Sequence, residues 1–403
     1  MLTRTKDLTT GAAVWSAYAT RAIPTHRLTG DIKADVLVIG AGVSGAMVAE
    51  ELAEAGFSVV IADRRKPLSG STSASTALLQ YEIDTPLTIL AKTVGFDNAA
   101  RAWRRSKLGL ESLAAKTEAL QIPCDFARRH SVYLTGDMLD ADGLRQEQIA
   151  RNSIGLRTEY LTSKMLRDQY GIRRQAALDV TGSVAVNPVK LAAGYLLAAI
   201  GRGAKIYTPC TIEAIEPRAR GVDVVTGEGP SIKARHVVFA TGYELPKSVS
   251  LKQHQVHSTW AIATRPQREN LWPGEAFIWE SSDPYLYIRS TKDGRVICGG
   301  EDEEFSDEAQ RDARLPAKTR ILSAKLAKLF PGLDTTPDFA WTGSFGGTAD
   351  DLPSIGALPG MANCYGVLAF GGNGITFSRI AAEIIRARLT GKDDPEADLF
   401  AFR

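Results

Sequence analysis

The sequence predicts an α/β fold: a Rossmann-like dinucleotide-binding domain assembled from separated segments, with a second domain built from the pieces between them. Three observations carry this. Residues 34–39 form a continuous apolar run, followed by Gly40-Ala41-Gly42-Val43-Ser44-Gly45, a helical stretch and a second apolar run. A block of the same style appears late, at 236–240. Between the two lie a charged, helical stretch (91–170) and a region of alternating, aromatic-rich strands (255–300).

The 34–39 run is apolar throughout rather than alternating, as a strand buried on both faces requires. Val43, Met47 and Leu52 then fall at helical spacing, and Gly56 sits where a C-cap needs a positive φ. A second buried strand, 57–62, completes a βαβ unit of about 30 residues. Residues 68–80 are rich in small hydroxyl side chains and are expected to open a helix. Further extended stretches begin at Ile206-Tyr207, Thr211-Ile212 and Ala214-Ile215, and 221–225 alternates. Segments 31–90, 171–245 and 335–390 are expected to form the cofactor domain, and 91–170 with 246–334 the substrate domain. Residues 1–30 read as an arm with a short helical patch around Trp15 and Tyr18.

At 403 residues the chain is long enough for two ordinary domains. Nothing in its net charge of +2 argues for a polyanionic partner, so no nucleic acid is expected. The start, MLTRTKDLTT, lacks the apolar run of a secretory signal, and no stretch approaches the roughly 20 apolar residues of a membrane helix, so a cytoplasmic protein is expected. Cys124, Cys210, Cys298 and Cys364 form no CxxC pair and read as reduced, mostly buried thiols. His254 and His257 lack a third ligand at metal spacing, so no metal is expected.

Each glycine of the turn has a mechanical task. Gly40 permits the tight turn, Gly42 lets the backbone approach a pyrophosphate, and Gly45 lets helix and strand pack closely. Val43 and Ser44 open the helix, whose amides and dipole favour phosphate. Asp63 ends the second strand, where a carboxylate meets ribose hydroxyls. The fingerprint alone does not separate NAD from FAD, and Arg64 with Arg65 would even suit a 2′-phosphate. Three features favour FAD. The chain after Asp63 runs into Ser71, Thr72, Ser73, Thr76, Ala77 and Leu79, which offer amides and hydroxyls to an extended cofactor. The 236–240 strand ends in Ala240-Thr241-Gly242. Near the C-terminus, Asp350-Asp351-Leu352 precedes Gly371-Gly372-Asn373-Gly374-Ile375-Thr376, a glycine-rich helix start whose partial positive charge suits a reduced flavin.

These residues carry a family resemblance. ADVLVIGAGVSGAMVAEELAEAGFSVVIAD, the Ser/Thr-rich stretch, VNPVKL (186–191), HVVFATGY, YLYIRSTKDGRVICGGED (285–302) and GGNGIT resemble, in order and spacing, the D-amino-acid oxidase, glycine oxidase and sarcosine oxidase family of flavoproteins. The resemblance covers about 31 to 390. It implies an FAD-binding domain beside a substrate domain on a mixed β-sheet (α+β), and oxidation of an amine to an imine by hydride transfer to flavin N5. It implies a small amine or amino-acid substrate, and oxygen or another electron acceptor. It also brings backbone near Ile212 to the adenine, and places Gly346 and Leu352 by the cofactor.

Departures from that pattern matter. Histidines or cysteines that tether FAD in some members correspond to Ala74 or its neighbours, and to the cysteine-free segment Gly343-Ser344-Phe345-Gly346-Gly347-Thr348, so non-covalent FAD is expected. Where amino-acid oxidases often place an arginine in that segment, Ser344 and Phe345 stand, which counts against an ordinary α-amino acid. Ile297 stands near the place of the lysine that helps oxygen react in sarcosine oxidases, which leans toward a dehydrogenase.

The candidate substrate site is the hairpin around Lys292-Asp293-Gly294. Alternation puts Tyr285, Tyr287 and Arg289 on one face and Leu286 and Ile288 on the other. Tyr285, Tyr287, Arg289 and Ser344 are the candidate catalytic residues; the alternative is a sheet surface with a structural arginine. Trp260, Trp279 and Trp341 wall the cavity or lie in the core. Three rival functions remain: a flavin hydroxylase using NAD(P)H, a nicotinamide dehydrogenase, and an FAD-carrying electron-relay subunit of a larger complex.

Overall fold

The computed structural model describes residues 2–402 except 4, 248, 250–254, 349, 351 and 369, and omits the side chain of Phe345. His254 and Asp351 therefore lie outside the described residues.

Two sheets organise the chain. In the first, strands run in the order Ser354–Ala357, Cys364–Leu368, Ser231–Gly242, Ile32–Ile39, Val59–Ala62 and Lys205–Tyr207. All neighbouring pairs are parallel except the outermost, Ser354–Ala357 with Cys364–Leu368. The hairpin Ile212–Arg218 and Gly221–Thr226 joins through Ser231–Gly242. Alternate residues of Ile32–Ile39 serve two cores. Val36 and Val38 meet the helices Val43–Glu54, Pro188–Gly201 and Gly374–Leu389, whereas Leu37 and Ile39 pack with Ile212, Val222 and Phe239. Burial on both faces is why the run is continuous.

The second sheet runs Pro337–Gly347, Gln255–Thr264, Val296–Glu303, Leu286–Ser290, Phe277–Glu280, Ala127–Leu134, Ala176–Ala185 and Leu78–Leu79, with Glu159–Thr162 also on Ala176–Ala185. It is mixed: Phe277–Glu280 lies parallel to Ala127–Leu134 and the other pairs are antiparallel. Its outer face packs Trp260, Ile262, Leu286 and Ile288 against Leu322 and Leu326 of the helix Leu315–Leu329.

The expected segment boundaries shift at several places, Leu78–Leu79 of the expected cofactor segment 31–90 pairing in the second sheet among them. Ala176–Ala185 and Pro337–Gly347, expected with the cofactor domain, make their ladders in the second sheet. The helix Phe96–Ala119, expected on the substrate side, packs against Gly374–Leu389. An apolar strand or helix face looks alike whichever layer receives it, so pattern alone leaves the partner open. The Ser/Thr-rich stretch also differs from expectation. Ser71–Ser73 is one 3-10 turn and Leu78–Leu79 a two-residue strand. Ala77, at φ +57°, breaks any helix between them.

The four cysteines are free and buried. Among the described residues, no helix is long and apolar enough to cross a membrane, and no group of His, Cys, Asp and Glu gathers at metal-binding distance.

Candidate cofactor and substrate site

A cleft of about 1210 Å³ runs over the C-terminal ends of the first sheet's parallel strands. Gly40, Gly42, Val43 and Ser44 line it from the first turn. Gly40 has φ +113°, and a Cβ there would stand 2.3 Å from the Ala240 carbonyl oxygen. Gly45 lies beneath, where a Cβ would come 1.9 Å from the Gly40 carbonyl oxygen, so helix and strand touch backbone to backbone. The Thr72 hydroxyl accepts from the Val43 amide at 3.0 Å and so anchors the Ser/Thr stretch to the helix start.

Asp63 lines the cleft with both oxygens engaged, accepting from the Ala41 amide at 2.7 Å and the Arg65 amide at 2.8 Å. Burial raises its pKa, and those two amides oppose the rise. Arg64 and Arg65 also reach this end, but both pair with the buried Glu244, Arg65 at 2.7 Å. Both guanidinium groups are engaged by that one carboxylate, which weakens the sequence's hint of a 2′-phosphate. Ile212 lines the same end, and Ala240, Thr241 and Gly242 line the cleft from the long strand. Ser71 Oγ and Thr241 Oγ1 are buried without a hydrogen-bond partner and stand on the cleft wall. Such atoms are rare in a finished structure unless a ligand completes them. The glycine turn, the helix start and these hydroxyls together fit FAD.

A second cavity, of about 920 Å³, meets the first at Ser71, Ser75, Tyr243, Gly372 and Ile375. The helix Gly374–Leu389 begins at this junction. The turn before it is pinned: the Gly372 amide donates to Asp84 at 2.8 Å, Asn373 Nδ2 to the Glu82 carbonyl, and Thr376 Oγ1 to the Gln80 carbonyl at 3.1 Å. Gly371, Asn373 and Thr376 line the second cavity, as do Thr76, Ala77 and Leu79. The floor at 74–77 is irregular and held from below. Trp341 Nε1 donates to the Ala74 carbonyl at 2.8 Å, Trp15 Nε1 to the Ser75 carbonyl at 2.7 Å, and Arg289 Nη1 to the Ala77 carbonyl at 2.6 Å.

Tyr285, Tyr287 and Ser344 line the second cavity, and Trp279 walls it; Trp260 and Trp341 lie in the core. Arg289 lines neither cavity. Its buried guanidinium is spent on carbonyls of Ala77, Val186 and Ser290, which corrects its expected place beside the two tyrosines. Strand alternation does set the three on one face, but Arg289 lies under the floor rather than above it. Ser73, Gly346 and Leu352 also line neither cavity.

Two residues beyond the expected set belong to the site. Tyr243 stands at the junction, with its phenol pKa raised by burial. Glu244 pairs with both arginines; two adjacent arginines that need a partner were its only signal. Asp302 opposes Thr259 across the bulged strand pair but lines neither cavity; Gly299-Gly300, a glycine pair inside a strand, was the signal of that bulge.

Residues 35–388 match the family model described as "FAD dependent oxidoreductase" (DAO). Among curated proteins, the chain is 26% identical over 401 residues to the γ-glutamylputrescine oxidoreductase of Escherichia coli K12, covering 97% of this chain and 91% of that one. It is 24% identical to the glycine oxidase of Geobacillus kaustophilus, covering 91% and 96%. Among solved structures, the L-proline dehydrogenase of P. horikoshii superposes with a TM-score of 0.75 at 19% identity, over 92% of this chain and 97% of that one.

Proposed function

The chain belongs to the FAD-dependent oxidoreductase family that its residues 35–388 match, and from that membership we propose that it oxidises a C–N bond of a small amine or amino acid. The observation that carries the reading is the junction, where the cleft over the strand ends, lined by the glycine turn and Asp63, opens into a second cavity lined by Tyr285, Tyr287 and Ser344. Relatives named for glycine and for γ-glutamylputrescine support it.

FAD, when bound, supplies the two-electron acceptor for the hydride leaving the amine carbon. The chain's own residues bind and orient. The Val43–Glu54 helix start and Gly42 receive the pyrophosphate, and the start of Gly374–Leu389 sets positive potential at the junction. The second cavity holds the amine with its C–H bond toward the junction, so catalysis rests on orientation. Among the described residues its ionisable lining groups are Asp84, Tyr243, Tyr285 and Tyr287. No nucleophile is needed: the amine becomes an imine, which water hydrolyses. We take FAD to be held without a covalent bond, Ala74 and Ser344 standing on the wall of the second cavity. Ile297 is fully buried in the apolar core and brings no cation to the site, which favours an acceptor other than oxygen.

An anaerobic visible spectrum tests the reading. Purified protein should show flavin absorbance that bleaches with at least one compound among amines, N-methyl amino acids and D- and L-amino acids. Absorbance that bleaches with none sinks the amine reading, and no flavin after added FAD sinks the site.

A further inference from the structure

The arm at residues 2–12 precedes the matched segment 35–388 and lies across the cofactor cleft. One end joins the first sheet's side. The Leu2 amide donates to the Ile212 carbonyl at 3.1 Å, the Lys247 amide to the Leu2 carbonyl at 3.1 Å, and Thr3 forms an antiparallel bridge with Pro246. The other end joins Pro337–Gly347, the outermost strand of the second sheet. The Thr342 amide donates to the Thr10 carbonyl at 2.8 Å, and the Ala12 amide to the Ala340 carbonyl at 3.0 Å. Gly11 has φ +89°, and a Cβ there would stand 2.4 Å from the Ala340 carbonyl oxygen, so arm and strand touch backbone to backbone. Between these anchors Leu2, Thr3 and Leu8 line the cleft, and Thr3 and Leu8 are buried. Leu8 faces the Ser/Thr-rich stretch: a Cβ on Gly70 would lie 3.8 Å from its Cδ1.

The middle of the arm rests on charged side chains that also line the cleft. Glu244 Oε1 accepts from the Lys6 amide at 2.7 Å and from Arg65 Nη2 at 2.7 Å. Arg65 Nη2 donates as well to the Lys6 carbonyl at 2.8 Å, and Arg64 Nη1 to Thr5 Oγ1 at 2.9 Å. The Lys6 peptide is thus held from both its ends by the Glu244–Arg65 pair. Arg64, Arg65 and Glu244 stand at the same time on the cleft wall, beside Asp63. One arrangement of the three side chains therefore serves the arm on one side and the cleft on the other. A ligand in the cleft and the seated arm favour that same arrangement, and such a coupling acts equally in both directions.

We propose that residues 2–8 are part of the cofactor site: they close over the Asp63 end of the cleft when FAD is bound, and their release sets the rate at which FAD leaves. FAD in the cleft adds to the burial of Leu2 and Leu8, an apolar gain that is lost when the arm lifts. The inference needs the cofactor and not the amine reaction, so a protein that binds FAD and oxidises no amine leaves it standing.

The FAD-loaded protein is compared with a chain lacking residues 2–8, and FAD release is followed by flavin fluorescence after dilution. The shortened chain should release FAD on the order of tenfold faster or more. Its melting temperature should fall further in the FAD-loaded form than in the FAD-free form, because the lost contacts include those made only with the ligand in place. An unchanged release rate, or equal falls in the two forms, overturns the proposal and leaves the arm a role in the fold alone. If the shortened chain does not fold, the unaltered protein decides. Amide hydrogen exchange of residues 2–8 should slow when FAD is added, on the order of tenfold, as reciprocal coupling requires. Exchange equally fast with and without FAD overturns the proposal.

Discussion

Arg289 Nη1 lies 2.6 Å from the carbonyl oxygen of Ala77, and this contact ties the second sheet to the floor of the second cavity. Ala77 sits at φ +57°, a conformation that a residue with a Cβ keeps only where its surroundings fix it. The same side chain reaches the Val186 carbonyl at 2.9 Å and the Ser290 carbonyl at 3.0 Å. Burial pushes its pKa down to about 9, so it is still charged at neutral pH and still donates.

Arg289→Ala should therefore act on the fold. It leaves three buried carbonyls without their donor, at about 1–3 kcal/mol each. The expected outcome is a melting temperature lower by several degrees and weaker FAD retention, partly restored by Arg289→Lys. KM for an amine should hardly change in the FAD-loaded fraction. A raised KM at unchanged melting temperature would return Arg289 to the substrate.

Two glycines of the same turn should fail in different ways. Gly45→Ala drives a methyl into the Gly40 carbonyl 1.9 Å away, so backbone must move and the protein should be unfolded or insoluble. At Gly42 a Cβ meets only the Thr72 hydroxyl, at 3.2 Å, but it projects into the cleft. Gly42→Val should keep its circular dichroism and lose its flavin absorbance. A yellow Gly42→Val protein would count against the pyrophosphate placement.

The contrast between these glycines and Arg289 indicates what was legible in the sequence. The turn, the helix and Asp63 act within one βαβ unit, so spacing alone places them, and Gly40, Gly42, Val43, Ser44 and Asp63 reach the cleft wall. The second cavity is assembled over long range. Its floor at 74–77 is neither helix nor strand, and its carbonyls are satisfied by Trp15, Arg289 and Trp341. Nothing in the local pattern tells that Arg289 reaches down to that floor while Tyr287, two residues away, reaches the cavity. The bulge at Gly300 likewise hides Asp302, because period-two counting loses its phase there.

Glu244 gives the Asp63 end of the cleft a pH dependence. Despite burial, its bonds to Arg65, the Lys6 amide and Arg64 hold its pKa below the ordinary glutamate value. A lowered folded-state pKa means that the stabilisation is complete above the unfolded value of about 4.3 and is lost as pH falls through the folded value. Glu244→Gln should lower the melting temperature at neutral pH and flatten the acid limb between about pH 5 and 3. Parallel curves for the two proteins would remove Glu244 from the acid response.

Asp302 carries the opposite sign. Its pKa is raised to about 7 in the folded chain, against about 3.9 unfolded, so between those values the folded state binds more protons. Stability contributed by this group falls as pH rises across that window and stays low above it, with an upper bound of about 4 kcal/mol. Asp302→Asn removes the titration. The variant should melt above the parent at pH 8 and near it at pH 4. A variant less stable than the parent at pH 8 would mean that Asp302 is already paired within the fold. If it is not, the unpaired carboxylate weakens the folded chain above its raised pKa, and the variant's gain at pH 8 measures that cost.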